Sequence, residues 1–468
     1  MRLLITLFIF LLPFFSLAQS LFQRTYGTPS AEERAFEMVI LPDHSIITIG
    51  DRYETSTFQR TGYLLKVDAD GNEEWMRQIS GNDDIYGTTI CQLPNGNALT
   101  AGYDYAVPDR EYGLMIAVFE SGNGLPVYQK THELLQNAKA IDAVPMPDNG
   151  AMVLCEFGTT SSHTNLLCRV DANGDTVWTK TINPFPESEN PTSLVAVTDG
   201  LVIGGSVMGA TTGTENSFLI KTDFDGNILW SYDDQSAPTV IAGKMAADPI
   251  NGGFYMAATT QITGQTIYKI LGLKNDNGSS NWLGTYSTQT DRIDFGYAVT
   301  AMDDGGAVFI GSAYKADTSN FRDLFMVRTD AAGTEIWSMY YSGSGSETGY
   351  DVQLDGDQIV ACGKADVNSS EDIIILRTDL NGNTSVGIDE QTAINSFSVF
   401  PNPFTEMLHI SARHRNGKTH SAKITDLSGR MLWQSGVNNR ASVNLAWLPA
   451  GIYLLEIPNS PPQRIVKL

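Results

Sequence analysis

The side chains that most often perform catalysis are few in this sequence and show no catalytic spacing. Of the six histidines, three lie after residue 400 and the others are isolated. The sequence has no HExxH zinc motif, no GxSxG nucleophile elbow and no phosphate-binding glycine loop. Carboxylates brought together from distant segments would escape such a scan. The sequence therefore leaves enzyme activity uncertain, favours its absence, and predicts no catalytic residue.

One recurrent motif has the chemistry of a cation ligand. Asp-x-x-Gly occurs repeatedly, as at Asp68 to Gly71 and Asp223 to Gly226, and carboxylate oxygens suit calcium. A calcium loop of the EF-hand type needs a bidentate glutamate at its twelfth position, whereas Trp75 soon follows Asp68. An aspartate that accepts hydrogen bonds from its own turn explains the motif equally. We expect structural turns and no cofactor, with bound calcium as the alternative.

The four cysteines, Cys91, Cys155, Cys168 and Cys362, lie in apolar runs and show no CxxC spacing. Free cysteine in such a run behaves as a small apolar residue, so metal binding by these thiols is not expected. Cys155 and Cys168 fall on successive predicted strands, and whether they form a disulfide is left open.

The chain repeats itself with a period near 50 residues. Leu64 to Trp75 and Leu166 to Trp178 share an apolar strand, an Asp-x-x-Gly turn and a second strand with an aromatic residue. The aromatic residues stand 50 to 55 positions apart, at Trp75, Tyr128, Trp178, Trp230, Trp282 and Trp337. A hairpin with Asn, Asp or Gly at its turn precedes each copy, giving four strands, a to d, per repeat. Four strands at this period are typical of a propeller blade.

We therefore predict an all-β chain with a seven-bladed β-propeller of about seven repeats over residues 20–386. The seventh repeat ends near Gly382 without an aromatic d strand, and residues 21–27 resemble residues 336–342. We expect the N-terminal strand to complete the last blade, because closure pairs its open sheet edge. The repeated tryptophan is expected to pack between neighbouring blades.

The loops of the repeat differ between its two ends. The a–b and c–d turns are short and uniform, whereas the b–c loops and d–a links vary in length. Variable loops on a rigid scaffold usually carry binding residues, so they predict the ligand face. The candidates on that face are Tyr53, Tyr103, Tyr105, Asp109, Arg110, Tyr314 and Lys315.

In its strand, Asp-x-x-Gly turn and tryptophan, the repeat resembles the pyrroloquinoline-quinone type. The resemblance covers only the tryptophan-bearing part of each unit. Quinoprotein dehydrogenases of that class have eight blades and a vicinal cysteine pair, and this sequence indicates neither. The resemblance therefore implies a shared shape without the cofactor. The sialidase Asp-box fits less well, because Trp230 follows Gly226 by four residues rather than three.

After a polar linker at 387–396 the pattern changes to short strands between turns, which predicts a small immunoglobulin-like β-sandwich over 397–468. Four segments of this region, 400–403, 426–430, 448–453 and 465–468, read FPNP, DLSGR, LPAGIY and IVKL. In this order they resemble the type A sorting domain of the type IX (Por) secretion system of Bacteroidetes. The motif residues are Pro401, Asn402, Pro403, Asp426, Gly429, Gly451, Tyr453 and Lys467.

This resemblance implies export of a folded protein across the outer membrane, with the type IX machinery as a partner and surface attachment or release afterwards. The N-terminus agrees with export. Residues 1–19 have a basic Arg2, an apolar run and small residues before a cleavage region at Ala18 and Gln19, as in a signal peptide. The apolar run is short for a membrane span, and no later run is apolar enough, so none is expected in the mature chain.

The net charge limits the classes of molecule that the chain is expected to bind. The formal charge is −23, and residues 21–389 carry 49 acidic and 21 basic side chains, which repel nucleic acids. We therefore predict an exported, cell-surface or secreted propeller with a non-catalytic binding or adhesion role toward an unknown extracellular protein or glycan. The alternative is a secreted polysaccharide hydrolase or lyase, which carboxylates clustered at the channel mouth would favour.

Overall fold

The computed structural model describes residues 20–81, 84–106, 111–159, 162–208, 215–233, 240–261, 268–276, 279–286, 294–314, 321–343, 345–367, 370–384, 397–400, 402–412, 419–426, 430–438, 440–457 and 460–468. Every regular element in these ranges is a β-strand, which confirms the predicted all-β class. The chain divides into two compact units, Met1–Ser385 and Val386–Leu468. The predicted signal peptide, with Ala18 and Gln19, and the predicted linker at 387–396 lie outside the described residues.

The strands of the first unit are β1 (Phe22–Tyr26), β2 (Ala31–Ile40), β3 (Ile46–Glu54), β4 (Gln59–Val67), β5 (Glu73–Ile79), β6 (Asp84–Gln92), β7 (Ala98–Ala106), β8 (Glu111–Phe119), β9 (Pro126–Gln136), β10 (Ala138–Pro145), β11 (Ala151–Thr159), β12 (Ser162–Val170), β13 (Thr176–Ile182), β14 (Glu189–Val197), β15 (Gly200–Met208), β16 (Glu215–Thr222), β17 (Ile228–Asp233), β18 (Val240–Ala247), β19 (Phe254–Gln261), β20 (Tyr268–Asp276), β21 (Ser279–Tyr286), β22 (Phe295–Ala301), β23 (Ala307–Tyr314), β24 (Arg322–Thr329), β25 (Glu335–Tyr341), β26 (Glu347–Asp355), β27 (Gln358–Val367) and β28 (Ser370–Asp379).

Within the described ranges these strands form seven four-stranded antiparallel sheets. Sheets 1 to 6 each take four consecutive strands, from β2–β5 to β22–β25. Sheet 7 has the order β26-β27-β28-β1, in which Phe22 pairs with Arg377 and Tyr26 with Ile373. The first strand of each sheet contacts the first strand of the next, and β26 of sheet 7 contacts β2 of sheet 1. We call these seven first strands the inner strands.

Neighbouring sheets are joined by an aromatic residue on the outer strand, and this packing explains the repeated glycine. Each such ring lies against the glycine of the c–d turn in the next sheet, with its nearest atom 2.3 to 3.4 Å from the place of a Cβ. The pairs are Phe22 with Gly71, Trp75 with Gly124, Tyr128 with Gly174, Trp178 with Gly226 and Trp337 with Gly382. All five glycines also have positive φ angles of 68° to 82°, which glycine adopts without steric cost. This is the packing that the repeated tryptophan predicts.

Gly174→Ala is expected to destabilise the first unit by about 2–4 kcal/mol, because it adds a strained φ and a steric overlap. At φ 77°, the new Cβ would lie 2.3 Å from the Tyr128 ring. Gly96 has a similar φ of 87° but nothing within 4 Å of a Cβ, so Gly96→Ala is the matched control. Urea denaturation should show a smaller loss for Gly96→Ala, about 1–2 kcal/mol. Equal losses would contradict the ring packing.

The second unit has seven strands, β29 (Phe397–Phe400), β30 (Met407–Ala412), β31 (Thr419–Asp426), β32 (Met431–Asn438), β33 (Arg440–Asn444), β34 (Gly451–Ile457) and β35 (Ser460–Lys467). They are connected in the order β29-β30-β33-β32-β31-β34-β35. A single residue pair, Asn438 with Arg440, joins β32 to β33. Leu408 and Ile410 of β30 share one buried core with Ile424 of β31 and Leu455 of β34.

The four cysteines are buried free thiols, including Cys155 and Cys168 on the paired strands β11 and β12. Burial raises the pKa of each of these thiols, so they are held as neutral, apolar groups. Among the described residues there is no helix long and apolar enough to cross a membrane.

Candidate functional site

The ends of the sheets that carry the b–c loops and d–a links hold a cavity of about 380 Å³. We call this end the loop face. Sheets 1 and 2 supply its lining, which combines aromatic rings, two guanidinium groups and one carboxylate. The lining residues are Arg34, Phe36, Asp51, Arg60, Tyr86, Thr88 and Tyr103. Phe36 and Thr88 project here because β-bulges between Ala35 and Glu37 and between Gly87 and Thr89 displace them from the strand pairing.

A ladder of tyrosines extends from this cavity across sheet 2. Tyr86 and Tyr103 are paired across β6 and β7 and stack with their ring centroids 4.7 Å apart. Tyr103 meets the edge of Tyr112 at 5.5 Å, and Tyr105 lies 5.1 Å from Tyr112. Each ring is half-buried, so part of its surface stays accessible. These four residues form what we call the tyrosine ladder.

Arginine and lysine side chains contact two rings of the tyrosine ladder. The Arg60 guanidinium lies 5.1 Å from the Tyr86 ring and 5.0 Å from the Tyr53 ring, so it sits between two aromatic residues. On the side of sheet 3, the Lys139 ammonium lies 4.3 Å from the Tyr112 ring. Such cation–π contacts fix the rings while leaving N–H donors available to a ligand.

Asp51 is the acceptor within the cavity. Its side chain is 2% exposed, and Oδ2 accepts a hydrogen bond from Arg60. Among the described residues, Oδ1 accepts no hydrogen bond, although Arg34 Nε lies 3.6 Å away. Burial raises the pKa of Asp51, against the lowering effect of the two arginines. A buried acceptor without a hydrogen bond is costly unless a ligand or water supplies the donor.

A second polar group lies deeper, between the inner strands. Seven positions that are 51 to 54 residues apart hold Glu37, Thr89, Asp142, Ser193, Lys244, Ala298 and Asp351. Lys244 of sheet 5 donates a hydrogen bond to Glu37 of sheet 1, although these sheets are not neighbours. The two side chains therefore meet in the space enclosed by the inner strands. We call Lys244 with Glu37, Asp142 and Asp351 the axial cluster.

The three carboxylates of the axial cluster also bond to the backbone of the next sheet. Glu37 accepts the Ile90 N–H at 2.8 Å, and Asp142 accepts the Leu194 N–H at 2.7 Å. Asp351 of sheet 7 accepts the Met38 N–H of sheet 1 at 3.1 Å. These bonds join successive inner strands, so the acids of the axial cluster have a structural role.

Opposite charges lie close together in the axial cluster. Burial raises the pKa values of Glu37 and Asp142, against the lowering effect of Lys244. Burial alone would lower the pKa of Lys244, but Glu37, Asp351 and Asp142 outweigh it and raise that pKa above its ordinary value. Lys244 is therefore a permanent cation whose charge offsets part of the acidity around it.

The structure brings some of the sequence-predicted ligand residues together and separates others. Tyr103 lines the cavity, Tyr53 lies under Arg60, and Tyr105 belongs to the tyrosine ladder. Tyr314 lies in sheet 6, where the Arg322 guanidinium is 5.1 Å from its ring. Asp109, Arg110 and Lys315 lie outside the described residues.

Sequence reasoning missed Arg34, Phe36, Arg60 and Tyr86 because they lie within strands rather than loops. It also missed the axial cluster. Aligning the seven repeats at the inner strand would have found it, since an ionisable residue in an apolar strand recurs there at the repeat period.

The first aspartates of several Asp-x-x-Gly turns accept hydrogen bonds from residues of their own turns. Asp68 Oδ1 accepts the N–H groups of Asp70 and Asn72, and its Oδ2 accepts the Asn72 amide. The first aspartates of four further turns, Asp171, Asp223, Asp330 and Asp379, accept N–H groups in the same way. This geometry accounts for the motif as a turn.

The described residues of the predicted sorting motif stabilise the end of the second unit. Asn402 donates to the Arg464 carbonyl and accepts the Val466 N–H, both at 2.8 Å, so it pins β35. Pro403 follows Asn402, and Lys467 lies near the end of β35. Gly451 begins β34, while Tyr453 donates to the Pro449 carbonyl at 2.8 Å.

Asp426 closes the β31–β32 turn by accepting the Arg430 N–H at 3.0 Å. Two further residues of the predicted motif, Pro401 and Gly429, lie outside the described residues.

Comparisons with known proteins bear on both units. Residues 398–468 match the secretion system C-terminal sorting domain. No curated protein matches the chain. Among solved structures, it is similar to an ulvan lyase from a polysaccharide lyase family, with a TM-score of 0.50 and 10% identity over 78% of this chain and 98% of that one.

Two other solved structures are also similar. They are the β-propeller domain of the Trilobed protease from Pyrococcus furiosus (TM-score 0.43, 9% identity, 76% of this chain and 98% of that one) and a puromycin hydrolase (TM-score 0.48, 12% identity, 84% and 62%). At such identities the likeness concerns the fold alone. The chain thus combines an all-β first unit, with seven four-stranded sheets in its described residues, and a C-terminal sorting domain, which indicates export through the type IX secretion system.

Proposed function

We propose that this exported chain is a seven-bladed propeller, closed by its N-terminal strand, that binds a neutral glycan at the loop face without cleaving it. The sorting domain would deliver it to the cell surface or the medium. The immunoglobulin-like arrangement of the second unit and the absence of a cofactor belong to the same proposal. The seven sheets, the β1–β28 pairing and the contact between β26 and β2 support its architecture.

One observation carries the binding role. A buried Asp51 oxygen that accepts no hydrogen bond from the described residues borders a cavity with aromatic rings and guanidinium groups. A sugar has an apolar C–H face that packs on aromatic rings, and hydroxyl groups that both donate and accept hydrogen bonds. Asp51 offers the acceptor, and Arg34 and Arg60 offer donors. Such convergence of apolar surface with a few fixed polar groups is typical of small-molecule sites.

The charge pattern favours a neutral ligand. Arg60 pairs with Asp51, and Arg34 pairs with Glu371 at 2.8 Å, so the cations of the cavity are balanced by acids. An anionic polymer would be repelled by the acidic body of the propeller, which carries 49 acidic side chains against 21 basic ones. A neutral polar glycan is not repelled by the acidic body and needs no unpaired cation in the cavity.

The alternative role is a polysaccharide hydrolase or lyase. Carboxylates do cluster inside the first unit, at Glu37, Asp142 and Asp351. Each accepts a backbone N–H and faces Lys244, so these acids are engaged in structure rather than presented to a substrate. The lyase among the solved neighbours is similar to this chain in fold alone.

A glycan array with the full chain, followed by product analysis of every glycan bound, tests the proposal. We expect binding to neutral polysaccharides without release of shorter products. Cleavage products would overturn the non-catalytic role in favour of the enzyme. Failure to bind any neutral glycan would overturn the site itself. Repeating the array with a calcium chelator tests the alternative that the acidic turns hold calcium, since binding should be unaffected.

Tyr86→Leu is expected to weaken glycan binding at least about ten-fold, which corresponds to about 1.4 kcal/mol. The change removes a ring that lines the cavity and that Arg60 holds in place. Tyr314→Leu is the matched control, because Tyr314 is also half-buried on the loop face with an arginine 5.1 Å from its ring, in sheet 6. Isothermal titration with a bound array glycan gives both affinities. Equal losses would exclude the cavity as the specific site.

A further inference from the structure

We propose that the ligand is a linear glycan long enough to extend from the cavity, across the tyrosine ladder, to a second polar group on sheet 3. This inference rests on the proposed function and specifies its ligand. We call the second group the distal group and define it as Lys139, Glu156 and His163. A branched cap or a single terminal sugar would fill only the cavity.

The distal group is a built arrangement on the loop face. Lys139 Nζ donates to Glu156 Oε1 at 2.9 Å, and His163 Nε2 lies 3.9 Å from the same oxygen. His163 Nδ1 is bonded to Asn190 Oδ1 at 3.1 Å, which fixes the imidazole ring. The three side chains are 20% to 26% exposed, so each is held in place yet accessible. Lys139 offers a ligand a donor and Glu156 offers an acceptor, and the neutral His163 ring, which donates through Nδ1, offers Nε2 as a second acceptor.

The tyrosine ladder connects the distal group to the cavity without a gap. Tyr86 and Tyr103 line the cavity, Tyr103 contacts Tyr112, and Tyr112 contacts Lys139. The successive centres along this path are 4.3 to 5.5 Å apart. That spacing is comparable to the length of one sugar unit in an extended chain, so each contact can address a successive unit.

The path also combines the polar and aromatic groups that glycan binding requires. Polar groups stand at both ends, Asp51 with the arginines at one and the distal group at the other, with aromatic surface between them. The cation of the distal group is paired with Glu156, as Arg60 is paired with Asp51. The whole path is therefore close to neutral and suits the same uncharged polymer from end to end.

The test is the dependence of affinity on chain length, measured by titration calorimetry with the full chain. The ligands are oligomers of one to eight units from cellulose, laminarin, mannan and chitin. We expect the affinity for one series to rise at least ten-fold between three and six units. Lys139→Met and His163→Ala should each remove most of that rise.

Lys130→Met is the matched control. Lys130 also pairs with an acid, Asp175 at 2.5 Å, and lies 5.6 Å from a tyrosine ring, that of Tyr128. It lies in the outer strand β9 and pairs with the c–d turn of sheet 3, away from the loop face, so Lys130→Met should keep the wild-type length dependence.

The outcomes separate the two proposals. Affinity that stops rising at two or three units would overturn the extended site while leaving the cavity as the binding site. Binding to none of the four series would overturn the proposed function together with this inference. A rise that Lys130→Met also removes would show a general effect of charge and would overturn the role of the distal group.

Discussion

Lys244→Met is expected to lower the free energy of unfolding of the first unit by about 2–4 kcal/mol, somewhat under the usual cost of breaking a buried ion pair. The substitution leaves Glu37, Asp142 and Asp351 without the cation that offsets their charge. One fifth of the Lys244 side chain stays exposed, which keeps the loss below that of a fully buried pair. Urea denaturation at pH 7, followed by tryptophan fluorescence, measures the change.

Two variants identify the cause of that loss. Lys130→Met breaks a pair in which both partners are exposed, 34% and 66%, and should cost less than about 1 kcal/mol. Adding Glu37→Gln to Lys244→Met removes one of the unbalanced acids and should recover part of the stability. A Lys244→Met loss no larger than that of Lys130→Met would show that Lys244 does not act as the counter-ion of the axial cluster.

The axial cluster shows how much of this architecture the sequence contains. The period near 50 residues predicts an all-β, propeller-like unit, and the all-β class is confirmed. The same period also contains the ionisable residues at the inner strands, because every repeat places the same position in the centre. Glu37 and Lys244 could therefore be predicted to lie at equivalent places, but not to bond with each other. That bond depends on the spatial arrangement of sheets 1 and 5.

The sorting domain was predictable for a different reason. Its segments are short, ordered and specific, and the match over residues 398–468 confirms the resemblance. Asn402 shows why such residues are fixed, since its side chain makes two hydrogen bonds to β35 that no other residue type would reproduce equally well. Local geometry of this kind requires particular residue types, so it can be predicted from the sequence.

The cavity was only partly predictable. Reasoning from variable loops reached Tyr103, because the end of β7 lies beside a loop. It could not reach Arg34 or Tyr86, which lie within β2 and β6 and are paired there with Asp51 and Tyr103. Side chains from different sheets come together through tertiary packing. The sequence of one repeat does not show which side chains of the next repeat it will contact.

The second large effect expected is on pH dependence. The first unit should be most stable between about pH 4 and 5 and should lose stability as the pH rises to 8. Burial raises the pKa values of Glu37 and Asp142 in the axial cluster, and two further buried glutamates act in the same direction. Glu189 and Glu347 begin the inner strands β14 and β26, and burial raises the pKa of each to about 7 from an ordinary value of 4.5. Backbone N–H groups, such as that of Phe185 beside Glu189, offset only part of the rise.

The direction of the stability change with pH follows from which state, folded or unfolded, binds more protons. Between pH 4.5 and 7 the folded state holds protons on Glu189 and Glu347 that the unfolded state has lost, so raising the pH favours unfolding. Their stabilising contribution is complete below about pH 4.5 and is lost above about pH 7. Each carboxyl accounts for about 2–3 kcal/mol across this interval. Below pH 4 the opposite effect begins, because hydrogen bonds lower the pKa values of turn aspartates such as Asp171.

Glu189→Gln and Glu347→Gln should each flatten the decline between pH 4.5 and 8 and leave the protein at least as stable as wild type at pH 8. Glu73→Gln, at an exposed position of the outer strand β5, is the control and should keep the wild-type slope. Thermal unfolding at about 0.5 M salt screens the repulsion of the acidic body, which would otherwise add to the slope. A wild-type slope in both core variants would mean that the acids of the axial cluster or surface repulsion, rather than Glu189 and Glu347, set the pH dependence.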